Sequence, residues 1–310
     1  MPGTSFLSLP AAFSQTISEA FGESGQLWLD SLPCLLDEVA ARWSLTIHAP
    51  FNPLSYNYAA PATGSDGQLL VLKAGVPRPE VRSEIEALRV YAGRGSVLLL
   101  EADIDRGVML LERVAPGVKL KAEPDDARAT EIAARVMQAL WRPLPAGHSF
   151  HPVTDWAAGL ARLRARFGGA TGPLPADWVD LAERLFADLF ASAAPSVLLH
   201  GDLHHENILA GERSPWLAID PMGMAGEPVY EVGALLRNPM PEVADWPDLR
   251  RIQARRVDQL AEILGFDRQR IVGYGVAQAV LSAWWTLEDH GRADSPALAC
   301  AEALLPLLAN

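Results

Sequence analysis

The segment His200-Gly201-Asp202-Leu203-His204-His205-Glu206-Asn207 lies between two short apolar runs, residues 196–199 and 216–219, with Asp220 directly after the second. Apolar runs this short, bounded by polar residues, read as buried strands. The chain must therefore fold so that paired strands present one polar loop. Each polar position in it has a chemical capacity. The Asp202 carboxylate can accept the proton of a hydroxyl and orient its oxygen. Asn207 and Asp220 carry hard oxygens, of the kind Mg²⁺ takes together with nucleotide phosphates. The arrangement points to phosphoryl transfer. Two other readings compete: a turn in which His and Asp cap a strand end, and a zinc cluster drawn from His200, Asp202, His204, His205 and Asp220. The H-E-x-x-H pattern is absent, and the ligand order does not suit other hydrolase clusters.

With 310 residues, the chain can bury a large core as one large or two moderate domains. A formal charge of −12 argues against nucleic acid and anionic membranes as partners and favours cationic small molecules. Cys34 and Cys300 make no disulfide framework and suit a reducing cytoplasm. No basic stretch followed by an apolar core opens the chain, so no leader is expected. The longest apolar stretch, residues 271–285, is interrupted by Gln278 and reads as a buried helix.

Along the chain, Phe13, Ile17 and Phe21 recur at helical spacing, as do the apolar residues of 27–43. Residues 44–49 read as a strand. Runs 56–61 and 68–74, around Gly64-Ser65-Asp66-Gly67, predict a hairpin. Residues 79–92 predict an amphipathic helix, and 97–101 with 107–112 a second hairpin. Beyond Glu112 helices predominate, at 124–140, 154–167, 176–191, 229–237, 249–264, 268–288 and 297–308. A small β-rich lobe, residues 1–112, is expected to precede a larger helical lobe, residues 113–310, giving an α+β fold.

Only Lys73, Lys119 and Lys121 of the 26 basic residues are lysine. Lys73 ends an apolar strand, where an ammonium is costly unless paired. The following helix supplies Glu84 and Glu86. Glu84 is preferred, because it lies four residues before Leu88, which would face the sheet. Neither G-x-x-x-x-G-K-[ST] nor G-x-G-x-x-G occurs. A phosphate-covering loop then falls on residues 50–56, with Ser55 and the adjacent Asn57 as polar donors. The run Met109-Leu110-Leu111-Glu112-Arg113 fits either a connector whose backbone reads an adenine edge or an interior strand.

The loop keeps the His, Asp and Asn spacing of H-R-D-L-x-x-x-N, with Gly201 in place of Arg. Together with Leu54-Ser55-Tyr56-Asn57-Tyr58, Val71-Leu72-Lys73, Leu111-Glu112-Arg113, Gly226-Glu227-Pro228-Val229-Tyr230-Glu231 and the helix ending in Trp284-Trp285, it resembles the aminoglycoside phosphotransferase branch of the protein-kinase-like fold. Within that branch it resembles the streptomycin 6-kinase and hydroxyurea-resistance kinase group. The resemblance implies a bilobal α+β fold that binds ATP and Mg²⁺. It implies Asp202 as catalytic base, Asn207 and Asp220 as metal ligands, and Lys73 with Glu84 as the phosphate anchor. His204 stands where protein kinases carry lysine and could donate to the γ-phosphate. His200 reads as a structural histidine beneath the loop, and His205 as exposed. Asp220-Pro221-Met222-Gly223 lacks Phe-Gly, so a regulatory flip of the protein-kinase kind has no support. The expected reaction moves the ATP γ-phosphoryl to a hydroxyl, of streptomycin first, with hydroxyurea, an amino sugar or an amino alcohol as alternatives. A guanidinium-bearing acceptor needs carboxylates and flat aromatic faces. Glu288, Asp289, Trp285, Glu227 and Glu231 are the candidates, against a reading of the tryptophans as core and the acids as solvated. A nucleotide-binding protein without turnover is the remaining alternative.

Overall fold

The structure, a computed structural model, describes residues 9–308. Residues 1–8 and 309–310 lie outside the described residues, and with them the outer ends of both expected lobes and the opening residues expected to carry no leader. The chain forms two compact units: residues 9–93 with Val97–Val114, and Arg94–Ser96 with 115–308.

The first unit is an antiparallel sheet with two helices. Its strands are β1 (Leu45–Ile47), β2 (Asn57–Gly64), β3 (Leu69–Gly75), β4 (Leu99–Asp103) and β5 (Val108–Glu112), in the order β1-β2-β3-β5-β4. The hairpin joining β2 to β3 forms where Asp-Gly predicts it. Gly67 adopts φ +83°, which glycine takes without strain, and Asp66 Oδ1 accepts the Gln68 N–H at 2.9 Å. Alternate residues Tyr58, Ala60 and Ala62 of β2 are buried, as a two-residue period requires. They pack with Leu70 and Leu72 against Phe13, Ile17, Leu32 and Val39 of α1 (Ala11–Trp43), a helix kinked at Gly22. The strand expected at 44–49 is shorter because Ser44 closes α1 in a left-handed conformation, φ +53°. Helix α2 (Pro79–Tyr91) starts on proline, where the missing N–H is not needed.

The second unit holds two small sheets and most of the helices. Strands β6 (Pro116–Lys119), β10 (Ile208–Gly211) and β11 (Trp216–Ala218) form one sheet, in the order β11-β10-β6. Strands β7 (Arg142–Pro143), β8 (His151–Pro152), β9 (Val197–Leu199) and β12 (Met224–Gly226) form the other, in the order β7-β9-β12-β8. The helices are α3 (Asp126–Leu140), α4 (Val153–Ala157), α5 (Gly159–Arg166), α6 (Ala176–Ala191), α7 (Val232–Leu236), α8 (Leu249–Leu264), α9 (Arg268–His290) and α10 (Pro296–Leu304). Every residue of α9 from Ile271 to Trp284 is buried, which explains its apolar character on all sides. The single helix expected over 154–167 is two, parted at Ala158. Gly159 there approaches α9 so closely that a Cβ would stand 2.8 Å from Leu281 Cδ1. No helix among the described residues is long and apolar enough to cross a membrane. The fold class is α+β, with a sheet-rich unit and a helical one, as expected.

Candidate active site

In the first unit, β3 sets Lys73 opposite Ala59 of β2 and Met109 of β5, in the middle of the sheet. Helix α2 turns Val81, Glu84, Ile85 and Leu88 inward, the i, i+3, i+4, i+7 spacing of one helical face. Lys73 Nζ and Glu84 Oε1 meet at 2.6 Å, both residues being about 95% buried (5% and 6% exposed). Such a pair contributes little net stability, because desolvation offsets the attraction. Glu86 is partly exposed. Ser55 is exposed in the stretch before β2, which is tied back by the Phe51 N–H to the Ala59 carbonyl at 2.9 Å. Glu112 lies on an interior strand, and its Oε1 accepts the Leu98 N–H at 2.9 Å. The Arg113 N–H reaches the Leu69 carbonyl at 3.4 Å.

In the second unit, the polar loop joins β9 to β10. His200 is fully buried; its Nε2 donates to the Ile219 carbonyl at 2.8 Å and its Nδ1 accepts the Asp202 N–H at 3.3 Å. Its own carbonyl accepts the Met222 N–H at 2.7 Å. Gly201 has φ +89°, and a Cβ there would stand 2.9 Å from Met224 Sδ, so arginine has no room at this position. Glu231 clamps the loop entrance, accepting the His200 N–H on Oε2 at 2.7 Å and the Gly201 N–H on Oε1 at 2.9 Å.

These contacts turn Asp202 outward with its side chain 34% exposed. Its Oδ1 accepts from Arg237 at 3.0 Å, and Oδ2 lies 3.4 Å from His204 Nε2. Burial pushes the Asp202 carboxyl up, but the charges of His204 and Arg237 outweigh it and hold the group well below the usual carboxylate range. Asn207 Nδ2 donates to the Asp202 carbonyl at 3.0 Å, and the Asn207 carbonyl accepts the Ile219 N–H at 2.9 Å. The second bond sets Asp220 next to the loop. Asp220 is exposed and left-handed, φ +58°, a conformation aspartate tolerates better than most residues. Beside Asn207, Glu206 pairs with Lys119 at 3.1 Å and Lys121 at 2.9 Å, which lower its carboxyl to about 2, Lys121 foremost.

Several expected positions are corrected. Glu231 is buried under the loop backbone instead of lining an acceptor pocket. Glu227 is 3% exposed and takes the Arg270 guanidinium, the Tyr274 hydroxyl and the Ala194 N–H at 3.2 Å. Their oxygens are thus committed inside the protein. His205, expected at the surface, is buried against Arg256, whose NH2 is 3.4 Å from its Nε2. Arg256 is itself fully buried, with its Nε 3.0 Å from Asp126 Oδ2 and its guanidinium 4.8 Å from the Trp246 ring centre. Among the described residues no group of three or more His, Cys, Asp or Glu side chains is placed to hold a metal ion, so the zinc-cluster reading has no support. Trp285 is partly exposed and meets Trp156 edge-on at 5.1 Å, whereas Trp284 is core. Glu288 is held on both oxygens by Arg162 Nε and NH2 at 2.9 Å, and Asp289 is exposed. Arg237 was not expected at the site at all. Its one sequence signal was Gln278, the polar break in an apolar helix.

Two buried histidines set a pH dependence. Burial lowers His200 to about 4, and burial with the Arg256 charge lowers His205 to about 3, from an ordinary value of 6.5. Below 6.5 the unfolded chain takes up protons that the folded chain refuses. Stability is therefore full above that pH and falls on acidification, by about 1.4 kcal/mol per pH unit for each group. Glu231 acts oppositely. Burial raises it to about 7 from 4.5, so its contribution is full below 4.5 and is lost as pH rises towards 7. Between pH 6.5 and 4.5 the two histidines together outweigh Glu231, so a net fall in stability on acidification remains. Urea unfolding of His205→Gln should lose less stability on acidification across that window than the parent does, and a slope equal to the parent's would refute the account.

The described fold recurs in the aminoglycoside phosphotransferase APH(4)-Ia, solved as a thermostable mutant with ADP and hygromycin B. The TM-score is 0.63 at 14% identity, over 88% of this chain and 99% of that one. The protein therefore has the kinase-like fold of the small-molecule phosphotransferases. Streptomycin 6-kinase of Streptomyces glaucescens is 33% identical over 303 residues, 96% of each chain. Hydroxyurea phosphotransferase of Kitasatospora aureofaciens is 33% identical over 292 residues, 91% of this chain and 81% of the relative. Residues 58–290 match the model of the aminoglycoside/hydroxyurea antibiotic resistance kinases. The chain belongs to that family and is a phosphotransferase.

Proposed function

We propose that this chain transfers the γ-phosphoryl group of ATP to a hydroxyl of an aminoglycoside, streptomycin first among acceptors. The observation that carries the reading is Asp202: ionised, partly exposed, fixed on one oxygen, with the Asn207 amide bonded to its carbonyl. Its carboxylate accepts the proton of the acceptor hydroxyl as that oxygen bonds to the γ-phosphorus. The bond from the γ-phosphorus to the β–γ bridging oxygen breaks, and ADP leaves. Positioning and charge neutralisation supply most of the rate in such transfers. Lys73, oriented by Glu84, anchors the nucleotide phosphates in this reading, and His204 donates to the γ-phosphate. Ser55 covers the phosphates; the Glu112 and Arg113 amides are spent within the first sheet, on the Leu98 and Leu69 carbonyls, and do not read the adenine edge.

The donor set fits Mg²⁺. Asn207 spends its amide nitrogen on the Asp202 carbonyl, which reserves Oδ1, and Asp220 adds a carboxylate. Among the described residues no group of three or more His, Cys, Asp or Glu side chains could hold a metal alone. Two protein oxygens suit a cation that keeps waters and phosphates around it. Bound there, Mg²⁺ would neutralise phosphate charge. Asp220→Ala should weaken Mg²⁺-dependent nucleotide binding, read by titration at several Mg²⁺ concentrations, and an unchanged Mg²⁺ dependence would remove Asp220 from the metal site.

For the acceptor, Trp285 offers an aromatic face and Asp289 an exposed carboxylate for guanidinium groups, while Glu288 joins them only by giving up its bonds to Arg162. The likeness to a hydroxyurea phosphotransferase keeps hydroxyurea as a second acceptor. The deciding experiment measures ADP release from ATP with streptomycin, other aminoglycosides, hydroxyurea and amino sugars. Release is expected to be fastest with streptomycin, phosphorylated on its 6-hydroxyl. A preference for hydroxyurea would reassign the acceptor, and nucleotide binding with no acceptor-dependent release would overturn the proposal.

A further inference from the structure

We infer that Arg237 is a positioning residue for the Asp202 carboxylate, and that Gln278 in the core of α9 holds Arg237 for that task. The inference rests on the reading of Asp202 as base. Arg237 follows α7 and is 5% exposed, so water does not compete for its donors. Its two terminal nitrogens divide their work: NH2 donates to Asp202 Oδ1 at 3.0 Å and NH1 donates to Gln278 Oε1 at 3.1 Å. A planar guanidinium can span two acceptors at a fixed angle, which a lysine cannot do. Gln278 is anchored in turn, its Nε2 donating to the Tyr230 carbonyl at 2.6 Å. It also fills its site completely, since a Cβ on Gly233 of α7 would lie 2.2 Å from Gln278 Cδ. The line from α9 through Gln278 and Arg237 to Asp202 therefore has little slack.

This line decides which carboxylate oxygen works. With Oδ1 bound to Arg237, rotation of the carboxylate is restrained, and Oδ2, bordered by His204 Nε2 at 3.4 Å, is the oxygen left for the acceptor hydroxyl. The Arg237 guanidinium carbon also lies 5.9 Å from the Trp285 ring centre, so the same cation borders the proposed acceptor wall. Small misplacements of a reacting group cost much of the rate.

The test is a double-mutant cycle read in kcat and in the KM for ATP. A hydrogen bond between charged groups is strong enough that Arg237→Ala should lower kcat by about 10- to 100-fold, with the KM for ATP unchanged. In an Asp202→Asn background the same substitution should cost less than about twofold, because its target is already disabled. Arg237→Lys should recover part of kcat, and guanidinium ions should partly rescue Arg237→Ala. Equal losses in both backgrounds, or a loss confined to the KM for ATP, would reduce Arg237 to a structural ion pair. If Arg237→Ala does not fold, Gln278→Met, which keeps both charged residues but removes the acceptor that orients Arg237, is put through the same cycle, with the same outcomes deciding. Normal turnover by Asp202→Asn alone would sink the reading of the base itself, which is a separate result.

Discussion

Asp202→Asn is expected to lower kcat by about 10²- to 10⁴-fold, the usual cost of losing a positioned base, while ATP affinity stays near that of the parent. The substitution suits the purpose because asparagine has the same shape and keeps an oxygen for Arg237. The loop should stay in place, since its other ties run through backbone atoms: Glu231 to the His200 and Gly201 amides, and Asn207 to the Asp202 carbonyl. What disappears is the oxygen that takes up the hydroxyl proton. Steady-state turnover paired with a nucleotide titration separates these effects. Turnover within a few-fold of the parent would remove Asp202 from the chemistry and with it the mechanism proposed above.

The second large effect is expected at Lys73 and Glu84, and it has two parts that separate. Lys73→Met takes away a cation 2.6 Å from a buried carboxylate. Breaking a buried pair from one side typically costs about 3–5 kcal/mol, so the thermal midpoint should drop. If Lys73 anchors the phosphates as proposed, its loss should also lower kcat/KM for ATP by about 10²- to 10³-fold. The double variant Lys73→Met/Glu84→Leu replaces both partners with apolar groups, which buried sites tolerate well. It should regain most of the midpoint and none of the catalytic efficiency. A double variant that used ATP as well as the parent would show the pair to be structural only.

What could be read from sequence follows from how far each interaction reaches along the chain. The His200–Asn207 loop was legible because its constraints are local: two apolar runs, one glycine, and polar residues at fixed offsets. Lys73 was legible because lysine is scarce here and costly on an apolar strand, and Glu84 because one helical face must meet the sheet. Strands such as β7, β8 and β12, two or three residues long, are too short to show a period. Glu227 and Glu231 were misplaced because an acid bound beneath a loop has the same one-letter code as an acid lining a pocket. What separates them is a partner about 30 or more residues away: Gly201 for Glu231, Arg270 for Glu227. Arg237 was hidden among 23 arginines, a number that strips any single one of signal. His205 was misread for a related reason, since its burial is created by α8 and the start of α3, far from the loop that carries it.

The lysine distribution also governs how the protein can be labelled. Lys73 is sealed in the first unit, while the Lys119 and Lys121 side chains are 54% and 31% exposed, and both grip Glu206 next to Asn207. Among the lysines, amine-reactive dyes, cross-linkers and coupling surfaces will therefore react beside the His200–Asn207 loop and cut Glu206 loose. Attachment through the exposed thiol of Cys34 leaves all three lysines, and with them the Glu206 pairs, unmodified.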